Sequence, residues 1–297
     1  MASAINPIHR QTSRPYLTID EYKNAPTALD YGNLIPGGNQ AQQDAELNNA
    51  ITRASSYIDV FCNQILGATA DTEQQRIRVR PDGTLRFHPE YWPIVSLDSL
   101  AVGFQPSDTL LSVDPSLAWI EDQQIVYPLN QGQLSWSSQG PLSLGFPASP
   151  RAECYIRYDY VNGYTQAITT TSLSIGATSL TVDNALGIIP GHTLKIYDGA
   201  NTEIINVSNS YVYGSTTVPL SSPIIFAHNA GVAVSSLPDA VKQACILITS
   251  AYLKIRGDAS LTLSVTNSPS QQAEGSQRVG SDIAQAQEIL KTFRRIR

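Results

Sequence analysis

The stretch Glu153-Cys154-Tyr155-Ile156-Arg157-Tyr158-Asp159-Tyr160-Val161-Asn162-Gly163-Tyr164 decides how the chain is read. Cys154, Ile156, Tyr158 and Tyr160 recur at every second position, so in a strand they share one face while Arg157 and Asp159 take the other. Past Gly163 the composition changes. Residues 164 to 235 hold one basic side chain, Lys195, against Asp183, Asp198 and Glu203. Short runs of Thr, Val, Ile and Ser alternate there with turns at Asp183-Asn184, Pro190-Gly191, Asp198-Gly199 and Gly214-Ser215. Regular short strands at this spacing predict a small sandwich or barrel.

Upstream, Arg76-Ile77-Arg78-Val79-Arg80 alternates, Pro81-Asp82-Gly83 makes a turn, and Thr84 to His88 returns, which predicts a hairpin. Ile94 to Phe104 and Ile125 to Tyr127 are further strand candidates. Before them, Leu47, Ile51, Ala54, Ile58, Phe61 and Ile65 fall on one stripe of a helix from Asn39 to Leu66, with Gly67 as its stop. Residues 1 to 38 are rich in Pro and Gly and predict an extended arm with one helical segment, Thr18 to Lys23, where Thr18 and Glu21 form a capping box.

Downstream, helix returns at Pro238, a favourable first helical position, with a stripe of Val241, Cys245, Ile248, Tyr252 and Ile255 that ends at Gly257. A Ser/Gln/Gly-rich link follows from Asn267 to Gly280. The last helix starts at Ser281 and carries Ile283, Gln287, Leu290 and Phe293 on one stripe. The fold class expected is α+β. A helical body with a β-hairpin and strands, discontinuous over 39–163 and 236–297, holds an inserted all-β sandwich or barrel-like domain over 164–235, whose ends Tyr164 and Ser235 lie close together.

The chain has 297 residues, enough for about two domains, and 42% of them are hydrophobic. Charged residues make up only 15%, well below the usual ~25%. A surface so poor in charge suits burial against partners. The formal net charge of -6 argues against a nucleic-acid or anionic-membrane binder driven by bulk electrostatics. Cys62, Cys154 and Cys245 are widely spaced and odd in number, which predicts buried thiols of a reducing compartment rather than a disulfide framework or a zinc knuckle. No apolar run reaches the ~18 residues of a membrane span and the start lacks a signal-peptide core, so a soluble protein made in the cytoplasm is expected.

Chemistry-bearing motifs are absent: no phosphate-cradling GxxxxGK[ST], no GxSxG, no HExxH, no CxxC and no calcium loop. His9, His88, His192 and His228 stand alone in the sequence. Asp198 and Glu203 flank a turn and could face one another, although a solvated hairpin end is the plainer reading. No catalytic residue, metal site or cofactor is therefore expected. Two basic features stand out. Arg76, Arg78 and Arg80 lie at period two and would project from one strand face, where they could meet phosphate or carboxylates. Lys291, Arg294, Arg295 and Arg297 close the chain, favourable to the negative end of a helix dipole.

The order of parts resembles the head-to-tail connector proteins (adaptors, or head-completion proteins) of tailed bacteriophages. Four stretches carry it: the helix pair Leu17 to Tyr22 and Ala41 to Leu66; the proline-led strand Trp92-Pro93-Ile94-Val95-Ser96-Leu97-Asp98-Ser99-Leu100; the strand from Ile156 that ends in Gly163-Tyr164; and the helix from Leu237-Pro238 to Arg256, with the last helix ending Phe293-Arg294-Arg295. In that family the Gly-Tyr strand end leads almost directly to the Pro-led helix, so residues 164 to 235 are an insertion. They are similar to small β units of other phage virion proteins at Gly176 to Asp183, Pro190 to Ile196 and Phe226 to Val234.

The resemblance implies a helical adaptor body and a structural, non-enzymatic virion protein. It implies a homo-oligomeric ring of about twelve copies, made in the bacterial host cytoplasm and placed at the head-tail interface. There it would join the portal protein to a tail, stopper or tail-tube protein and surround the channel of transient, non-specific DNA passage, with no membrane contact. It places Lys291, Phe293, Arg294, Arg295 and Arg297 at the portal interface, and makes Arg76, Arg78 and Arg80 candidates for sparse contacts along the channel. Alternatives are a stopper or tail-completion ring, a short-tailed-phage adaptor anchoring tail fibres, a carbohydrate-binding β module, and a hydrolase with a dispersed site joining His228 and Glu203.

Overall fold

Alternation of apolar and polar side chains governs the middle of the chain, and it builds sheets. In a computed structural model, which describes residues 14–27, 29, 31–32, 34–103, 110–129, 153–257 and 281–295, the chain divides into two units, residues 68–163 and residues 1–67 with 164–297.

The 68–163 unit holds β1 (Thr69–Arg78), β2 (Thr84–Phe87), β3 (Ile94–Gly103), β4 (Leu111–Val113), β5 (Trp119–Glu121), β6 (Gln124–Pro128) and β7 (Glu153–Asn162). One antiparallel sheet has the order β1-β7-β3-β4, the other β2-β6-β5. β7 is central because both its edges are used, by β1 (Ile77 opposite Cys154, Gln75 opposite Ile156) and by β3 (Val102 opposite Ile156, Leu100 opposite Tyr158). Its apolar face, Cys154, Ile156, Tyr158 and Tyr160, is buried with Leu100 and Val102 of β3, Leu85 and Phe87 of β2 and Ile125 and Tyr127 of β6. Phe87 and Tyr158 stack at a tilt with ring centroids 4.7 Å apart. Burial of each such side chain contributes about 1.5–3 kcal/mol.

The other unit has a helical part and a barrel. Thr18 caps α1 (Ile19–Lys23) and Glu21 closes the capping box. Asn39 and Gln42 do the same for α2 (Gln40–Cys62), which stops where Asn63 takes a left-handed conformation (φ 56°). The predicted stop at Gly67 is thus four residues late, because Asn63 tolerates that conformation too. Leu47, Ile51, Ala54 and Ile58 of α2 pack on Val241, Cys245 and Ile248 of α3 (Asp239–Gly257), with Ala286 and Leu290 of α4 (281–290) completing the core. The side chain of Ile255 and the link Asn267 to Gly280 lie outside the described residues.

The barrel runs from β8 (Gln166–Ile168) through β9 (Ser179–Thr181), β10 (Thr193–Tyr197), β11 (Glu203–Asn206) and β12 (Thr217–Pro219) to β13 (Ala233–Ser235). Four strands pair as β11-β10-β13-β8 and two as β12-β9. The groups are joined at both seams. Thr170 N–H donates to Thr181 O (2.9 Å) beside a Thr169–Val182 bridge, and Ser208 N–H donates to Pro219 O (2.9 Å) beside a Val207–Leu220 bridge. Six strands therefore close around Leu180, Val182, Leu194, Ile196, Val207, Val218 and Val234, which leaves few open edges. The ends of this segment meet. Ser236 N–H donates to Thr165 O (3.1 Å), Thr165 N–H to the Ser236 hydroxyl (2.9 Å), and the Ser235 hydroxyl to Thr165 O (2.8 Å).

Two expectations are overturned. Among the described residues the protein is mostly β, with four sheets, 33% strand and 28% helix, and not a helical adaptor body. The stripes in α2 and α3 are real, but the hairpin expected from Arg76 to His88 does not form: β1 pairs with β7 and β2 with β6, in separate sheets. Two ten-residue strands, β3 and β7, bury apolar faces in a core of their own, and a third, β1, pairs along β7 and adds Ile77 to it.

Candidate functional site

The arginine row sits on β1. Arg76 and Arg78 project from the same exposed face and both pair with Glu153 across the sheet, Arg78 at 3.1 Å. Arg76 also lies 5.9 Å from the centre of the Tyr155 ring. Arg80 falls beyond the strand, in the turn, where its N–H donates to Thr84 O (2.9 Å) and its carbonyl accepts from Gly83 (3.0 Å). Register adds a third cation that the row in sequence does not contain. Arg157, exposed on β7, stands opposite Gln74, two positions from Arg76. Asp159 shares the face and is held below the usual carboxylate range by the Ser99 and Thr72 hydroxyls and Arg157. Three guanidinium groups and two carboxylates therefore make a mildly basic, mostly self-paired face.

The C-terminal cluster gathers at the end of α2. Arg295 N–H donates to Cys62 O (2.9 Å), the Gln64 amide to Phe293 O (3.1 Å), and the Arg294 guanidinium lies 5.5 Å from the Phe61 ring centre. Lys291 is exposed and pairs with Glu288. Arg297 lies outside the described residues. Arg294 and Arg295 thus lie against the carbonyl end of α2, where a positive charge is favoured.

Asp198 and Glu203 do come together, through a residue distant in sequence. The ring of fully buried His228 sits between them, Nδ1 2.9 Å from Asp198 Oδ2 and Nε2 2.8 Å from Glu203 Oε1. Glu203 also accepts from Ile225 N–H (2.9 Å) and Phe226 N–H (3.2 Å). Burial raises the Glu203 pKa, but the Ile225 and Phe226 amides and the His228 ring outweigh it and hold the carboxyl below its ordinary value. With both ring nitrogens engaged by carboxylates, neither is placed to take a proton from a nucleophile. The cluster is a clamp on the 224–228 loop.

Three further polar clusters are illegible in the local sequence. Glu73 of β1 accepts from the Tyr158 hydroxyl (2.7 Å), the Gln75 amide (3.1 Å) and Glu90 N–H (2.8 Å). Lys242 of α3 pairs with Glu21 of α1 and stacks 3.8 Å from the Tyr197 ring centre. Asp239, which opens α3, takes Lys195 (2.9 Å) and the Tyr197 hydroxyl (2.8 Å) from β10. Their outward signs in the sequence are the even spacing of Tyr158 and Tyr160 and the acids in the first turns of α1 and α3.

A cleft of about 300 Å³ runs between the 14–21 segment and β8, lined among others by Arg14, Tyr16, Glu21, Gln166 and Lys242. His228 and Glu203 are not in its wall, and the charges of Arg14, Glu21 and Lys242 are taken by Asp183 and by one another. Among the described residues no three His, Cys, Asp or Glu side chains gather to hold a metal ion, and no helix is long and apolar enough to cross a membrane. Neither a protein-family model nor a curated protein sequence matches this chain.

Proposed function

We propose that the chain is a non-enzymatic structural subunit of the connector at the head-tail interface of a tailed-bacteriophage virion. It assembles with copies of itself into a ring between the portal protein and the tail or stopper proteins, around the DNA exit channel. One observation carries the proposal. The barrel begins and ends at a single point, where Thr165 and Ser236 exchange hydrogen bonds. Without it, Gly163-Tyr164 would run straight into Leu237-Pro238, which is the order of parts that the connector family has. The barrel is thus a plug-in on that framework.

Two features support the same reading. The surface is poor in charge, as suits subunits with flanks buried on both sides. The basic face of β1 and β7 is largely neutralised by its own carboxylates, so it would hold DNA weakly and let it slide, since each unpaired phosphate contact would add to affinity. The C-terminal residues Lys291, Phe293, Arg294 and Arg295 would present the portal contact from their place at the end of α2, with Arg297 beyond them.

The test is sedimentation of the full chain with its cognate portal rings. Co-migration, reduced by charge reversal at Lys291 and Arg294, is the expected result. A chain that ignores portal rings and binds glycans instead would replace the connector with the carbohydrate-binding alternative.

A further inference from the structure

The barrel and the helices it is inserted between each have a core of their own. Among the described residues, the barrel cluster around Leu194, Ile196 and Val234 shares no side chain with the helical cluster around Ile51, Ile58 and Ile248. Where residues 14–21 face β8 and β13 the two walls do not close, and the cleft of about 300 Å³ lies there in place of packed side chains. The chain crosses between the parts at one place. Tyr164 and Leu237 pack in the helical cluster, whereas Thr165, Ser235 and Ser236 bond to one another at the foot of the barrel, so the crossings Tyr164–Thr165 and Ser236–Leu237 lie side by side. Parts of one chain that lack a large apolar interface are expected to move relative to each other, and a few residues at element ends suffice as a hinge.

What closes the joint is polar. Asp239, which opens α3, takes the Lys195 ammonium (2.9 Å) and the Tyr197 hydroxyl (2.8 Å) of β10. Burial raises the Asp239 pKa, but Lys195 and Tyr197 outweigh it and hold the carboxyl below its ordinary value. Lys242, three residues further on, sets its ammonium against the Tyr197 ring while pairing with Glu21 of α1. Arg14 reaches Asp183, two residues beyond β9, at 2.7 Å. Two of these pairs are open to water: the Arg14 and Asp183 side chains are 35% and 32% exposed, those of Lys195 and Asp239 30% and 68%. Exposed pairs contribute little each and are screened by salt, so together they favour the closed joint without making it permanent. We infer that the barrel is a movable arm that swings about the paired crossings at Thr165 and Ser236. Its latch is Asp183, Lys195 and Tyr197 on the barrel, with Arg14, Asp239 and Lys242 opposite them. Opening widens the cleft along residues 14–21 and leaves both cores intact. The device belongs to the single chain and does not depend on the ring reading above.

The experiment measures the distance between the two parts in the full chain. Val60 of α2 and Ile204 of β11 are exposed and the three native thiols are buried, so Val60→Cys with Ile204→Cys takes nitroxide labels at those two positions alone. Pulsed double electron–electron resonance then gives the distance distribution, and hydrogen exchange follows the strands of the barrel. The latch is weakened by Arg14→Ser with Lys195→Ser, which leaves the buried Lys242–Glu21 pair in place; Tyr197→Phe is the milder second variant. The expected result is one main distance with the latch intact at low salt. A second distance should grow in high salt, and the double latch variant should raise its population by about fivefold or more, with β10 and β11 still protected. One narrow distance that persists in the variants and in high salt would overturn the hinge. Broadening accompanied by lost protection in β10 and β11 would overturn it too, because the barrel would then be unfolding instead of swinging. A chain that ignores portal rings overturns the connector reading and leaves the label distances, and the hinge they test, untouched.

Discussion

Replacing Glu203 by Gln tests whether the His228 clamp organises the barrel. The substitution keeps the shape and exchanges one carboxylate oxygen for an amide NH2. Oε1 accepts from His228 and Phe226, and Oε2 from Ile225. If the amide oxygen takes the place of Oε1, the NH2 faces the Ile225 N–H, donor against donor. If it takes the place of Oε2, two bonds are lost instead of one. The first arrangement costs less: one donor without a partner, about 1–3 kcal/mol, and loss of charge assistance in the two remaining bonds, about 1 kcal/mol each. Ile225 is largely exposed, so water recovers part of the first cost, which leaves a net loss of about 2–4 kcal/mol. Urea unfolding followed by far-UV circular dichroism gives the change in midpoint. Hydrogen exchange gives the local signature, faster exchange at the Ile225 and Phe226 amides. A loss below about 0.5 kcal/mol with unchanged protection at both amides would refute the clamp.

The carboxylates set an acid limit. Glu203, Asp239 and Asp159 all have folded-state pKa values below their ordinary ones, so the stability they contribute is present above about pH 4.5 and lost as pH falls through those lowered values; a pH series of urea midpoints that stayed flat from pH 5 to pH 3 would contradict this. Ile58→Asp and Ile248→Asp each put a carboxylate into the helical core, where both side chains are fully buried, and should cost more than about 4 kcal/mol or prevent folding, read as loss of soluble monomer. Leu290→Ala should cost about 2–5 kcal/mol by thermal unfolding, because α4 completes that core and does not hang free of it. Burial pushes the Cys62 and Cys245 thiols up to about 12 and Cys154 up to about 11, so iodoacetamide at pH 8 should label none of them in the folded protein and all three in urea.

What could be read from the sequence was whatever a single element decides for itself. The Thr18–Glu21 box, the Leu47, Ile51, Ala54, Ile58 stripe and the Cys154 to Tyr160 alternation each follow from spacing within one helix or strand. The body is mostly β where a helical one is expected, because alternation tells which side chains share a face but not how many neighbours a strand has. β7 is central only because β1 and β3, each more than fifty residues away, pair on its two sides. The same limit hid the functional clusters. Asp198 and Glu203 flank one turn, where a solvated hairpin end is the plainer reading, and His228, which the sequence offers only as a partner of Glu203 in a dispersed site, joins both from 25 residues beyond Glu203. Arg157 completes a basic face that Arg76 and Arg78 only begin, and Arg80 leaves it because the Pro81-Asp82-Gly83 turn takes its backbone.

The central claim is a ring, and the most direct test is the mass of the purified chain, alone and mixed with its portal protein, by light scattering followed by negative-stain imaging. A closed ring with a central channel, formed in solution or on the portal, is the predicted result. A particle of 32.2 kDa in both conditions, indifferent to the portal, would contradict it.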